Sequence, residues 1–279
     1  MASTPSSTSS FSEEVERSRS SSLDACDPAQ EADVPIVHER GSADAPVSAG
    51  GIVCLGIDLE SSGKDILAVG LAVVTMDRRV LHSAVFSQFR EGSGFRFSRS
   101  VSLFFARHKW VLPTLHTMSL EGGVRSERDM ISRSYEFIRS WQARARREGF
   151  HVRIASDNPS FDVGQFNTKL RKLGFRHVLP QNFATGKYEM VYDTKSMTKM
   201  LALTMPQTHR QRRDQVMKHC GAARMVESWF AKTPPMHADG SSLVLHTHIP
   251  DDDAACHAST LALIFSISLG GAFLTVPEW

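Results

Sequence analysis

Acidic residues stand in three short, separate motifs of this sequence, and their types and spacing suit the binding of divalent cations. They are Asp58 and Glu60 in GIVCLGIDLESSG, Asp162 in ASDNPSFDVGQF, and Asp253 in HIPDDDAACHA. A carboxylate at the end of an apolar strand is costly to bury unless something cationic satisfies it. Oxygen ligands without a nearby Cys partner suit Mg²⁺ or Mn²⁺ better than zinc. We therefore expect a shared metal site, and with it phosphodiester chemistry.

A histidine accompanies the third motif, because His248 stands five residues before Asp253. Two metal ions about 3.5–4 Å apart can divide the hydrolysis of a phosphodiester, one activating a water and the other stabilising the leaving oxygen. An imidazole with an ordinary pKa of about 6.5 can take the proton from that water. His248 is therefore the candidate general base.

The pattern of apolar residues predicts the elements that position these side chains. Strands are expected in GIVCLGID, ILAVGLAVVT, RVLHSAVF and HVRIAS, and another near residues 177–180. Helices are expected over 126–148, about 163–173, 193–203, 207–220 and about 250–269. Residues two apart in a strand share a face, so Asp58 and Glu60 should project together. Asp162 then follows a strand, and Asp253 lies in the first turn of the last helix. The order of elements predicts a mixed α/β architecture with one sheet and helices packed on it.

The chain divides by composition into a tail and a folded body. Ser occupies ten of the first 22 positions, and residues 1–50 carry a net charge of −6, which predicts a disordered, acidic tail. Residues 51–279 carry 29 basic and 21 acidic side chains and are expected to form a single domain. A basic body of this kind is compatible with a polyanionic partner.

The remaining composition points to a soluble, intracellular protein without a membrane partner. The four Cys residues form no close pairs, which favours a reducing compartment. The start of the chain is polar and unlike a signal peptide. The apolar segment LALIFSISLGGAFLTV is shorter than the roughly 20 residues of a spanning helix, so a buried helix is favoured over a tail anchor.

The three motifs together resemble those of the DEDD 3′→5′ exonucleases, in the subgroup with a His in the third motif. IDLESSG followed by ILAVGLAVV is similar to the first motif, ASDNPSFDVGQF to the second, and HIPDDDA to the third. The resemblance covers about residues 52–90 and 150–270. It implies a ribonuclease H-like fold, an α/β mixed sheet flanked by helices. It also implies metal ligation by Asp58, Glu60, Asp162 and Asp253, with His248 as the base.

The function implied by the resemblance is 3′→5′ exonuclease activity. The expected substrate is single-stranded or 3′-overhanging RNA or DNA, the products are nucleoside 5′-monophosphates, and the cofactor is a pair of Mg²⁺ or Mn²⁺ ions. A catalytically inactive nucleic-acid-binding module of the same fold is the alternative, and another nuclease-fold enzyme such as an endonuclease is a third.

Other polar residues near the motifs have structural explanations. Asp251 and Asp252 are expected to complement the dipole of the last helix, and Asp157 to be a turn residue or a neighbour of the ligands. Asp162 is also a candidate helix cap. The basic run HRQRRDQVMKH is expected to be a solvated helix face or a contact with the nucleic-acid backbone through Arg210, Arg212, Arg213 and Lys218.

Overall fold

The structure is a computed structural model that describes residues 39–63, 65–179, 181–182, 187–188, 191–203, 235–237, 239–243 and 247–269. Two predictions from the sequence lie outside these residues. One is the disordered tail predicted over residues 1–50, of which residues 1–38 are outside the described part. The other is the helix at 207–220 with its four basic residues, Arg210, Arg212, Arg213 and Lys218.

Strands and helices are mixed along the described part of the chain: four strands come first, then three helices, and the two kinds of element follow one another after that. The strands are β1 (Glu39–Gly41), β2 (Ile52–Ser61), β3 (Ile66–Thr75), β4 (Val80–Ser87), β5 (His151–Ser156), β6 (Gln181–Asn182), β7 (Lys187–Tyr188) and β8 (Val191–Asp193). The helices are α1 (Arg99–Arg107), α2 (Val111–Glu121), α3 (Glu127–Glu148), α4 (Asp162–Lys172), α5 (Thr194–Leu203) and α6 (Pro250–Leu269).

Six strands form one mixed sheet in the order β1-β4-β3-β2-β5-β8. Strands β1 to β4 are joined antiparallel, whereas β5 runs parallel to β2 and β8 runs parallel to β5. Strands β6 and β7 form a separate small hairpin. Since β2 and β5 are parallel neighbours, the residues that follow their carboxyl ends meet at one edge of the sheet.

Alternate side chains of β2 pack into different clusters on the two faces of the sheet. Val53, Leu55, Ile57 and Leu59 belong to a large core cluster with residues of α3 and α4. Cys54 belongs to a second cluster, which includes the alanines of α6. A third cluster joins α1 and α2 to residues of β3 and β4. The sheet is therefore covered by helices on both faces, which agrees with the predicted architecture.

Helix α3 shows how local sequence fixes an element that supports the site. Its N-cap Ser126 accepts a hydrogen bond from the backbone N–H of Asp129, and its C-cap Gly149 has a left-handed conformation with φ of 75°. Met130, Ile138 and Trp141 are buried along one face of the helix. The predicted bounds of 126–148 are thus confirmed to within one residue.

The structure departs from the sequence-based elements in three places. Glu39–Gly41 pairs with β4, so part of the expected tail belongs to the sheet. Residues 177–179 form no strand, and the strand beside β5 is Val191–Asp193 instead. Two helices, α1 and α2, occupy a segment for which no element was predicted. Among the described residues, no helix combines the length and apolarity needed to cross a membrane.

Candidate metal centre

The carboxyl end of β2 carries two acidic side chains on the face of the sheet that α6 covers. Asp58 and Glu60 alternate with the buried Ile57 and Leu59, which point to the opposite face. Both acidic residues keep partial contact with solvent. The first prediction of the motif analysis, that these two side chains project together, agrees with this arrangement.

Two glycines allow α6 to lie directly on the sheet beside these acids. A Cβ atom added at Gly56 would lie 1.7 Å from the carbonyl oxygen of Ala254, and one added at Gly70 would lie 2.0 Å from the carbonyl of Pro250. Gly70 is also the cross-strand partner of Asp58. The close contact therefore brings the first turns of α6, and with them Asp253, over the end of β2.

The end of β5 contributes two further carboxylates. The parallel ladder between β2 and β5 ends at the pair Gly56 and Ala155, so Asp58 and Asp157 each stand two residues beyond the last pair. Asp162 is the first residue of α4 and is buried, and the hydroxyl of Ser156 donates a hydrogen bond to its carboxylate. The N-cap of that helix is Phe161, so the interpretation of Asp162 as the cap itself is wrong.

The electrostatics of the acids show that they share one environment. Burial raises the pKa of Glu60 well above its ordinary value, and the charges of Asp58, Asp253 and Asp162 raise it further. Burial and the charge of Asp58 likewise raise the pKa values of Asp162 and Asp253. The four predicted residues, which come from β2, α4 and α6, are therefore close enough for their negative charges to disfavour one another's ionisation.

Comparison of the chain with models of protein families, with curated proteins and with solved structures finds no match. The chemistry of the site is therefore inferred from its own residues. Carboxylates that repel one another are stabilised by a divalent cation bound between them. Among such cations, oxygen donors suit Mg²⁺ or Mn²⁺. The expected pair of Mg²⁺ or Mn²⁺ ions remains a prediction.

His248 lies on the loop before α6 and next to Asp253. Its backbone N–H donates to Oδ1 of Asp253 over 3.4 Å, and its Nδ1 lies 3.8 Å from Oδ2 of the same residue. The ring packs against His108, with centroids 4.1 Å apart, and against Phe104, at 5.0 Å. The φ of His248 is 62°, a left-handed conformation that costs a non-glycine residue about 1–3 kcal/mol and is often found at functional sites.

The loop that carries His248 is held from α2 by an indole. The Nε1–H of Trp110, the residue before α2, donates to the backbone carbonyl of Thr247 over 2.9 Å. The Trp110 side chain remains partly exposed. A segment for which the sequence predicted no element therefore supports the candidate base.

His257 is a member of the acidic group that the sequence analysis did not identify. It lies on α6, and its Nε2 is 3.5 Å from Oδ1 of Asp58 and 3.9 Å from Oδ1 of Asp157. Burial by itself lowers the pKa of His257, but Asp157, Asp58 and Asp253 outweigh burial and raise it to about 10. The signal in the sequence was the spacing of four residues between Asp253 and His257, which places both on one face of a helix.

Asp251 and Asp252 belong to a different set of contacts from Asp253. Oδ2 of Asp251 accepts from the Ser83 hydroxyl over 3.3 Å. Oδ1 of Asp252 lies 3.5 Å from the guanidinium of Arg40 on β1, and its Oδ2 accepts from the Thr247 hydroxyl. These residues tie the start of α6 to strands β1 and β4, in addition to their expected place in the first turn of the helix.

Proposed function

We propose that this protein is a divalent-cation-dependent 3′→5′ exonuclease. It removes nucleoside 5′-monophosphates from single-stranded or 3′-overhanging RNA or DNA. The observation that carries the proposal is that Asp58, Glu60, Asp162 and Asp253, from three elements, form one partly buried acidic group in which the charges of the other three raise the pKa of Glu60. The direction of degradation and the product rest on the resemblance of the three motifs to the DEDD exonucleases.

The topology of the sheet supports the same proposal. Antiparallel strands β2, β3 and β4 lie on one side, and the parallel strands β5 and β8 extend the sheet beyond β2. This order fits the ribonuclease H-like fold that the motifs imply. The acids of β2 and those that follow β5 therefore lie at one edge of the sheet, where Asp58 and Asp157 stand.

The carboxylates would bind the cations, and His248 would act as the general base. Bound Mg²⁺ or Mn²⁺ ions would supply Lewis-acid activation of water and neutralise charge on the phosphate. The carboxylate of Asp253 accepts a hydrogen bond from the backbone N–H of His248, and this contact keeps the loop beside the acidic group. The imidazole of His248 would then accept a proton from an attacking water. The neighbouring ring of His108, tilted against it with the centroids 4.1 Å apart, limits rotation of the His248 ring.

The test uses single-stranded DNA and RNA oligonucleotides of one sequence, labelled at the 5′ end, with Mn²⁺ or with a chelator. The proposal predicts a ladder of products that shortens from the 3′ end only with Mn²⁺, and no products from Asp58→Asn. Asp65→Asn is the matched control, because Asp65 is more exposed and lies near Lys169, outside the acidic group.

Two outcomes would replace the proposal with one of its alternatives. Binding of the oligonucleotide without degradation in Mn²⁺ would identify a non-catalytic nucleic-acid-binding module. Cleavage of a circular single strand would identify an endonuclease. Equal activity of the wild type and Asp58→Asn would show that the acidic group is not the site of the chemistry.

A further inference from the structure

Three side chains form a compact group with both nitrogen and oxygen donors inside the candidate metal centre. One oxygen of Asp58, one oxygen of Asp157 and one ring nitrogen of His257 all lie within 4.8 Å of one another. They come from the end of β2, the end of β5 and the middle of α6, so the fold and not a local turn brings them together. Such a group differs from the all-carboxylate set because it includes an imidazole.

His257 is buried and lacks hydrogen bonds that would explain its position. Its side chain is 7% exposed, and neither ring nitrogen has a hydrogen-bond partner of acceptable geometry within the described part of the chain. An unsatisfied polar group in the interior costs about 1–3 kcal/mol, so a buried imidazole usually has a partner. The Nε2 atom instead faces two carboxylates at 3.5 and 3.9 Å, which is too long for a good hydrogen bond.

These separations are close to those of ligands around a metal ion. Ligand atoms at metal distances of about 2.0–2.2 Å lie about 2.8–3.1 Å apart at neighbouring octahedral positions and about 3.3–3.6 Å apart in tetrahedral geometry. The 3.5 Å between His257 and Asp58 falls in this range. The distance from His257 to Asp157 is longer, at 3.9 Å, and the Asp157 side chain, just after β5, is 33% exposed.

We propose that Asp58, Asp157 and His257 form a mixed nitrogen and oxygen metal position that binds first-row transition ions, Mn²⁺ among them, more tightly than Mg²⁺. Carboxylates suit Mg²⁺ and Mn²⁺ alike, whereas imidazole suits transition ions such as Fe²⁺, Ni²⁺ and Zn²⁺, so the ring nitrogen shifts the preference of the site away from Mg²⁺. This inference deepens the proposed function, because it names the class of cation that the site binds. Only the catalytic role of that cation rests on the proposed function.

The experiment measures binding of Mn²⁺ and of Mg²⁺ to the full chain without nucleic acid, by calorimetry. Electron spin echo spectroscopy of the bound Mn²⁺ detects a coordinated ring nitrogen directly. We expect nitrogen coupling in the wild type and its loss in His257→Asn. The variant should also bind Mn²⁺ at least about tenfold more weakly. Removing a residue that only hydrogen-bonds to a metal ligand already lowers metal affinity about 10–100-fold, and here a ligand itself is removed. Its affinity for Mg²⁺ should change less.

Asp157→Asn provides a second test that does not disturb the buried helix. It should weaken Mn²⁺ binding but keep the nitrogen coupling, because His257 remains in place. Asp65→Asn, a change of the same type at an exposed acid outside the group, should bind Mn²⁺ like the wild type. Folding of each variant is checked by circular dichroism.

Three results would overturn the inference. They are a wild type without nitrogen coupling, coupling that persists in His257→Asn, and a His257→Asn variant that binds Mn²⁺ as tightly as the wild type or more tightly. Tighter binding would mean that the imidazole acts as an internal cation that competes with metal. Failure of the proposed function is distinct: nitrogen-bound Mn²⁺ without degradation of oligonucleotides would leave the metal position intact and refute the nuclease.

Discussion

The contact between Gly56 and α6 is the feature on which the geometry of the metal centre depends most. The carbonyl oxygen of Ala254 lies so close to Gly56 that an added Cβ would be 1.7 Å away. Ordinary contacts of this kind begin at about 3.4 Å. In Gly56→Ala the helix must therefore move about 1.7 Å further from the strand than it lies in the wild type. Asp253 precedes Ala254 in the helix and should move away from Asp58 by a similar distance.

The expected loss follows from this displacement. Overpacking of a core costs about 1–3 kcal/mol, which for a chain of this size corresponds to a fall in Tm of about 2–12 °C. Misplacement of a reacting group by about 1 Å costs about 100-fold in rate. Gly56→Ala should therefore lower the Tm by several degrees and reduce Mn²⁺-dependent turnover at least about 100-fold.

The assay compares Gly56→Ala with Gly94→Ala, whose added Cβ meets no heavy atom within 4 Å. Thermal unfolding, Mn²⁺ affinity and single-turnover degradation are measured for both variants and the wild type. Gly94→Ala should match the wild type in all three. An unchanged Tm together with unchanged Mn²⁺ affinity in Gly56→Ala would refute the reasoning, because α6 would then not need to lie so close to β2.

Three further predictions concern the base, the acids and the anchor of α6. His248→Asn should reduce turnover about 10²–10⁴-fold in single-turnover kinetics and leave Mn²⁺ affinity unchanged, since Asn tolerates the left-handed φ but has no imidazole. With a chelator present, the Tm measured by scanning fluorimetry should fall as the pH rises above about 4, because the folded-state pKa of Asp253 is raised and the folded chain holds more protons than the unfolded chain. Protonation thus stabilises the fold at low pH, that contribution is lost as the pH rises, and saturating Mn²⁺ should restore stability; a Tm that rises with pH under chelation would contradict this. Arg40→Met should lower the free energy of unfolding in urea by about 2–3 kcal/mol, because it leaves the buried Asp252 without its cation, and no loss would show that this ion pair is unimportant.

Local patterns in the sequence predicted much of the sheet and its helices. The strand Ile66–Thr75 and the strand His151–Ser156 have the predicted bounds, because each is a run of strand-forming residues between turn or helix signals. Helix α3 was predicted from its capping residues and the spacing of its apolar side chains. In these segments local propensity and tertiary packing favour the same structure.

The elements that the sequence did not predict depend on contacts distant in the chain. Strand β1 has three residues, and its contacts with the rest of the fold come from its pairing with β4, the contact of Glu39 with His82 and the ion pair of Arg40 with Asp252. Short strands of this kind carry too little pattern to be recognised. The position of β8 depends similarly on pairing with β5.

The sequence pointed to the carboxylates of the candidate site but not to His257. The motifs name Asp58, Glu60, Asp162 and Asp253 as ligands, and this remains a prediction, although the charges of the other three all act on Glu60 in the structure. Asp157 was expected to be a turn residue or a neighbour of the ligands, whereas the position of His257 depends on the docking of α6, which one-dimensional spacing does not contain.

Anomalous diffraction from crystals of the protein grown with Mn²⁺ tests the central claim most directly, since it locates the cation without assuming any activity. We predict one or two anomalous peaks within about 2.5 Å of carboxylate oxygens of the acidic group, with Asp58 among the ligands. Saturating Mn²⁺ with no peak at the carboxyl ends of β2 and β5, or with peaks only elsewhere on the molecule, would contradict the account.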